Sequence, residues 1–161
     1  MIRLALYQPD IPQNTGTLMR LAACLGVGLD LIGPLGFSLD EKRLRRAGMD
    51  YLDRLDLTRH ESWDGFCATR AGRRLVLLST KADQAYTDFA FGENDILIAG
   101  SESAGVPDAV HEAVDARIKV AMVGGVRSLN VAVAAAMVLG EGLRQTGSSG
   151  ERQTGGFVEG P

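Results

Sequence analysis

The sequence is short of cysteine and histidine and has no excess of positive charge, and each shortage removes a class of protein. Among 161 residues there are two cysteines, Cys24 and Cys67, far apart and each inside an apolar stretch. Neither a disulfide framework nor a Cys-based zinc site is indicated. The two histidines, His60 and His111, offer no metal-ligand spacing, so no metal is expected. Seventeen basic residues against 20 acidic ones give a net charge of −3, which excludes a histone-like, purely electrostatic nucleic-acid binder. The apolar run over residues 1–7 is too short for a signal sequence and meets Pro9 at once, so secretion and membrane contact are both disfavoured and a reduced, cytoplasmic protein is expected. Nucleotide fingerprints are missing too. Tyr7-Gln8-Pro9-Asp10 stands where a dinucleotide fold or a P-loop would place its glycines. No internal repeats are present.

What remains is an ordinary folded domain. The chain length fits one compact unit, and 45% hydrophobic with 23% charged residues is close to the average for globular proteins. Glycine alone is over-represented, at 20 residues, which implies many tight turns. The pattern predicts a strand over residues 2–7 and then a helix N-capped by Asn14 or Thr15, with Leu18, Leu21, Ala22 and Leu25 on its apolar face and Gly26 as C-cap. Gln13, Thr17 and Arg20 fall on the opposite, polar side. Further short strands are predicted over residues 29–32, 75–78, 95–99 and 117–121, with helical stretches between them. Such alternation predicts an α/β domain with a mainly parallel sheet, helices on both faces, and ligand sites at the carboxyl ends of the strands. The helix predicted over residues 129–143 leaves almost no polar face and should be buried all round, by the core or by a second subunit. The domain is expected to span residues 1–145. Residues 146–161 form a Gly/Ser-rich tail with no apolar periodicity, and a flexible tail is expected there.

Four loops that follow predicted strands are rich in Gly, Ser, Thr or Asn: residues 9–16, 79–81, 100–107 and 122–130. Backbone groups in such loops can approach a ligand closely, and together the four define one rim of the sheet.

Three of these loops carry motifs. Ile11-Pro12-Gln13-Asn14-Thr15-Gly16 with Arg20 behind it, Gly100-Ser101-Glu102-Ser103-Ala104-Gly105-Val106-Pro107, and Arg127-Ser128-Leu129-Asn130-Val131 occur in that order. Their sequence and spacing resemble the three motifs of the SPOUT-superfamily RNA 2′-O-methyltransferases (SpoU/TrmH-like). Pro9-Asp10-Ile11-Pro12-Gln13-Asn14-Thr15-Gly16 and the stretch from Asp40 to Tyr51 resemble the short, single-domain TrmL-type branch that methylates the wobble nucleotide of tRNA. The resemblance covers residues 1 to about 145. It implies a parallel-sheet SPOUT fold with a C-terminal deep trefoil knot, S-adenosylmethionine (S-adenosyl-L-methionine) held by Leu78, Gly100, Val120 and Ser128, and a homodimer formed through the C-terminal helix. Arg20 and Glu102 are the implied catalytic residues. Asn14, Asn130, Arg43, Arg45 and Arg46 are the candidates for binding the anticodon region of tRNA.

Charge placement bears on the RNA side independently. Residues 42–74 hold nine of the 17 basic residues, namely Lys42, Arg43, Arg45, Arg46, Arg54, Arg59, Arg70, Arg73 and Arg74, against five acids. In an otherwise acidic chain, a local basic stretch is the footprint expected of phosphate contact. Three other readings stay open at this point: methylation of ribosomal RNA, a SPOUT-like RNA-binding protein that has lost catalysis, and an unrelated flavodoxin-like binder of small molecules.

Overall fold

The computed structural model describes residues 1–39, 53–125 and 128–147. Strand β1 (Arg3–Tyr7) leads into helix α1 (Pro12–Leu25), and β2 (Gly28–Ile32) and β3 (Leu57–His60) follow. Next come α2 (Trp63–Thr69), β4 (Leu75–Leu78), β5 (Gln84–Ala85), a 3-10 turn (Tyr86–Asp88) and β6 (Ile96–Ala99). The last described elements are α3 (Asp108–Ala113), β7 (Ala116–Lys119) and α4 (Val131–Thr146). The described strands form one sheet in the order β3-β2-β1-β6-β4-β7-β5, and every pairing is parallel. All strands therefore end on the same edge, as the alternation of elements predicts.

Side-chain alternation along β1 sorts the two faces. Leu4 and Leu6 join a core with Leu18, Met19 and Ala22 of α1 and Ala135, Val138 and Leu139 of α4. Ala5 and Tyr7 join a second core with Phe66 of α2 and Val110 of α3. A sheet covered on both faces explains why β2, β4 and β6 read as near-continuous apolar runs.

Several expectations need correction. Helix α1 is N-capped by Ile11, not by Asn14 or Thr15, and no side chain caps it. Pro12 at its first turn starts the helix instead, because its fixed φ is already helical and its missing N–H needs no partner. Its other end is as predicted: Gly26 sits at φ 66° and its N–H reaches the carbonyls of Ala22 and Ala23. Helix α4 starts two residues later than predicted and runs to Thr146, with Gly147 left-handed at its end. Within one chain it is not buried all round: Val133, Met137, Gly140 and Arg144 form an exposed stripe. Strands β3 and β5 were not predicted, and the tail beyond residue 147 lies outside the described residues. No described helix is long and apolar enough to cross a membrane.

Candidate functional site

The loops after β1, β4, β6 and β7 converge with the start of α4 around a cavity of about 550 Å³. All four residues expected to hold a cofactor, Leu78, Gly100, Val120 and Ser128, lie in its wall, as do Asn14, Glu102 and Asn130. Strand order makes this possible: β6, β4 and β7 are adjacent and parallel, so the residues that follow their last pairs share one rim. Leu77, Leu78, Val120 and Val131 supply apolar surface, and Ser79, Thr80, Ser101 and Ser128 supply hydroxyls.

A chain of hydrogen bonds joins the three motif loops. Asn130 N-caps α4 through its Oδ1, which accepts from the N–H groups of Ala132 (2.9 Å) and Val133 (3.3 Å). Its Nδ2 donates to Oδ1 of Asn14 at 2.9 Å. Asn14 in turn donates from Nδ2 to Oε1 of Glu102 at 3.0 Å. The two asparagines thus differ in kind, one being a helix cap and the other turned across to a carboxylate. Both oxygens of Glu102 accept, since Oε2 takes the backbone N–H of Asp10 at 3.2 Å.

Asp10 is the residue that sequence reasoning passed over. Its carboxylate accepts from the N–H of Glu102 at 3.0 Å, from the N–H of Ser103 at 3.2 Å and from the Ser103 hydroxyl. Contact with the Glu102 side chain foremost, then the Ser103 hydroxyl and the two N–H groups, hold its pKa down at about 2. It lies in the stretch from Pro9 to Gly16 that carries the resemblance, but nothing local reveals its role, because its partners lie more than 90 residues on. His111 also faces the cavity.

Gly100, in the cavity wall, is also held to glycine by its own loop. A Cβ there would stand 2.7 Å from the carbonyl carbon and 2.9 Å from the Cα of Gly105. The missing side chain lets the loop close on itself, through paired backbone bonds between Ser101 and Gly105 at 3.0 and 2.8 Å.

Arg20 is exposed on the polar side of α1 with Gln13 and Thr17, as predicted, but does not line the cavity. The basic stretch divides. Arg43, Arg45 and Arg46 lie outside the described residues. Arg70 pairs with Asp115 at 3.4 Å, Arg73 donates to the carbonyls of Asn94 (3.0 Å) and Met1, and Arg74 pairs with Asp95 at 2.7 Å and stacks over Phe89. These three sit at the amino ends of the strands, the edge opposite the cavity. Their partners lie at the bottom of the sheet. Among the described residues no group of acidic, His and Cys side chains could hold a metal ion.

Residues 1–140 match the model of the SpoU rRNA methylase family. The tRNA (cytidine(34)-2′-O)-methyltransferase of Beijerinckia indica is 62% identical over 147 residues, covering 90% of this chain and 92% of that protein. A solved structure described as giving insights into the 2-OH methylation of C/U34 on tRNA is 43% identical, with a TM-score of 0.83 over 90% of this chain and 95% of the other. The SpoU methyltransferase AviRb of Streptomyces viridochromogenes, solved with the cofactor AdoMet, is 30% identical with a TM-score of 0.78; the match covers 93% of this chain and 58% of that longer one.

Proposed function

The chain belongs to the SpoU rRNA methylase family, and from that premise we propose that it methylates the ribose 2′-hydroxyl of cytidine or uridine 34 of tRNA, with S-adenosylmethionine as donor. The observation that carries this reading is the meeting of all three motif loops and all four cofactor candidates at one cavity. Relatives of nearly the same length that bear this activity agree with it.

The cavity suits the cofactor. Leu77, Leu78 and Val120 offer apolar walls to an adenine, while the hydroxyls of Ser79, Thr80 and Ser128 offer partners to a ribose or an amino-acid group. When bound, S-adenosylmethionine supplies an electrophilic methyl group on a sulfonium. The chain's own residues must then align a ribose oxygen with it and help that oxygen lose its proton. Glu102, with both oxygens already accepting, is better suited to fixing Asn14 at the mouth than to abstracting a proton. Arg20 keeps its charge in almost any protein setting, because a guanidinium gives up its proton only at very high pH. We assign it to an RNA phosphate through its planar fork, with that phosphate or a neighbouring group taking the proton.

The partner that best covers α4 is a second copy of the chain. Val133 and Met137 are 51% and 41% exposed, and Leu129 and Ile11, which border the cavity, are 41% and 40% exposed. An apolar strip of this kind at a cavity mouth fits a symmetric interface that helps to complete the site. The trefoil knot and a cytoplasmic location, where tRNA is found, belong to the same proposal.

Incubating the protein with methyl-labelled S-adenosylmethionine and tRNA transcripts, then mapping the label, tests the reading. Label at ribose 34 is expected, and none when that ribose carries a 2′-deoxy substitution. Label confined to ribosomal RNA would select the alternative substrate, and no transfer to any RNA would select a non-catalytic binder.

A further inference from the structure

Asp10 does not line the cavity, yet it makes more bonds to the cavity's second motif than any residue of the first motif does. The exchange is reciprocal. Its carboxylate holds the N–H groups of Glu102 and Ser103 and the Ser103 hydroxyl, while its own N–H is held by the Glu102 carboxylate at 3.2 Å. Asp10 is itself fixed from behind. Gln8 adopts a left-handed φ of 45° and bonds its N–H to the Ile32 carbonyl at 2.8 Å, and Gly36 donates to the Pro9 carbonyl at 3.0 Å. Gly36 lies so close that a Cβ on it would be 2.8 Å from the Cα of Asp10. The turn after β2 therefore braces Asp10, and Asp10 braces the second motif.

We propose that Asp10 is a positioning residue for methyl transfer, clamping the Glu102–Ser103 peptide so that the Glu102 carboxylate holds Asn14 at the mouth of the cavity. This rests on the methyltransferase reading above. Cofactor contacts should be spared, because the Ser101 and Gly105 backbones fix each other without Asp10. Glu102 and Asn14 carry the effect, and a displacement of even about 1 Å at such a point can cost orders of magnitude in rate. Because Asp10 titrates at about 2, the clamp is fully ionised wherever the protein would work.

Asp10→Asn keeps the side chain's size and puts an amide where three donors converge. In the free protein, hydrogen exchange should show the amides of Glu102 and Ser103 protected in the unmodified chain and unprotected in Asp10→Asn, with Ser101 and Gly105 protected in both. In the methyl-transfer assay, Asp10→Asn should lower kcat by about tenfold or more, with S-adenosylmethionine affinity by calorimetry held within about threefold. Added to Glu102→Gln, it should cost less than about twofold more, since it acts through Glu102. Should Asp10→Asn not fold, Ser103→Ala removes one donor and should give a smaller kcat loss of the same kind. The proposal is overturned by unprotected Glu102 and Ser103 amides in the unmodified chain, by an unchanged kcat in these variants, or by losses that multiply with Glu102→Gln. The exchange arm needs no substrate, so a chain that methylates no tRNA would sink the functional reading while the clamp is still read.

Discussion

At residue 100 the chain itself excludes a side chain, since the loop that follows folds back until the Gly105 backbone occupies the space of a Cβ. Gly100→Val should therefore lose S-adenosylmethionine binding because the Ser101–Gly105 turn is forced open, and not simply because a ligand is blocked. Overpacking against backbone should lower stability by about 1–3 kcal/mol, visible as a lower Tm beside lost heat of binding in calorimetry. A variant with full Tm and no binding would mean that the valine meets the ligand alone. Asp10 makes a pH prediction. Its folded pKa of about 2 lies below the usual value of 3.8, so its bonds stabilise the fold above pH 4 and the contribution is lost as pH falls through about 2. The Tm difference between the unmodified chain and Asp10→Asn should thus be constant near neutrality and shrink between pH 4 and pH 2. The group is largely solvent-screened, so the effect is modest.

Among the elements, α4 is where one sequence pattern served two purposes. Ala132, Ala135, Val138, Leu139 and Leu143 face the core, while Val133 and Met137 continue the apolar pattern onto the open side. Ala135 is fully buried against its own chain, so a charge placed there would test folding. Met137→Glu tests association: it should turn a dimer into a folded monomer by light scattering, with Tm losing only the part that dimerisation contributes. A monomer before the substitution would remove the interface. Asn130→Ala should cost about 1 kcal/mol for the lost cap of α4 and in addition release Asn14, so methyl transfer should fall further than stability does. The same elements mark what the sequence could convey. Strands β1, β2, β4 and β6 were legible because burial on both faces leaves them mostly apolar. Strand β3 hid behind Thr58, Arg59 and His60, polar because it is an edge strand, and β5 has only two residues. The start of α1 was misplaced because Asn14 has the chemistry of a cap, yet spends it on Glu102, 88 residues away. The site loops could be read from local composition, whereas the Asp10 clamp depends on a contact that no local pattern encodes.

Over the whole molecule, the parallel sheet gives the two edges opposite duties. At the amino edge, Arg74 pairs with buried Asp95 at 2.7 Å, while Arg3 at the start of β1 reaches buried Asp30 in the middle of β2 at 2.8 Å, and His60 at the carboxyl end of β3 stands 2.9 Å from Asp30. Charge there is committed to closing the fold, by Arg70 on Asp115 as well as by Arg74 on Asp95. The carboxyl edge carries the cavity, with the polar side of α1 rising from the same rim. Each phosphate contact releases counterions, so the salt dependence of tRNA affinity reports which arginines touch RNA. Measured by fluorescence anisotropy from 50 to 200 mM salt, Arg20→Gln should flatten the slope of log K against log salt by about 0.7–0.9, the value of one contact. Charge reversal at Arg45 and Arg46, whose assignment rests on the sequence alone, should flatten it further and leave S-adenosylmethionine affinity unaltered. Arg70→Gln, which breaks the pair with Asp115, should leave the slope untouched. A slope that responds to Arg70 and not to Arg20 would place the RNA on the amino edge, away from the cavity, and the division of duties between the two edges would have to be abandoned.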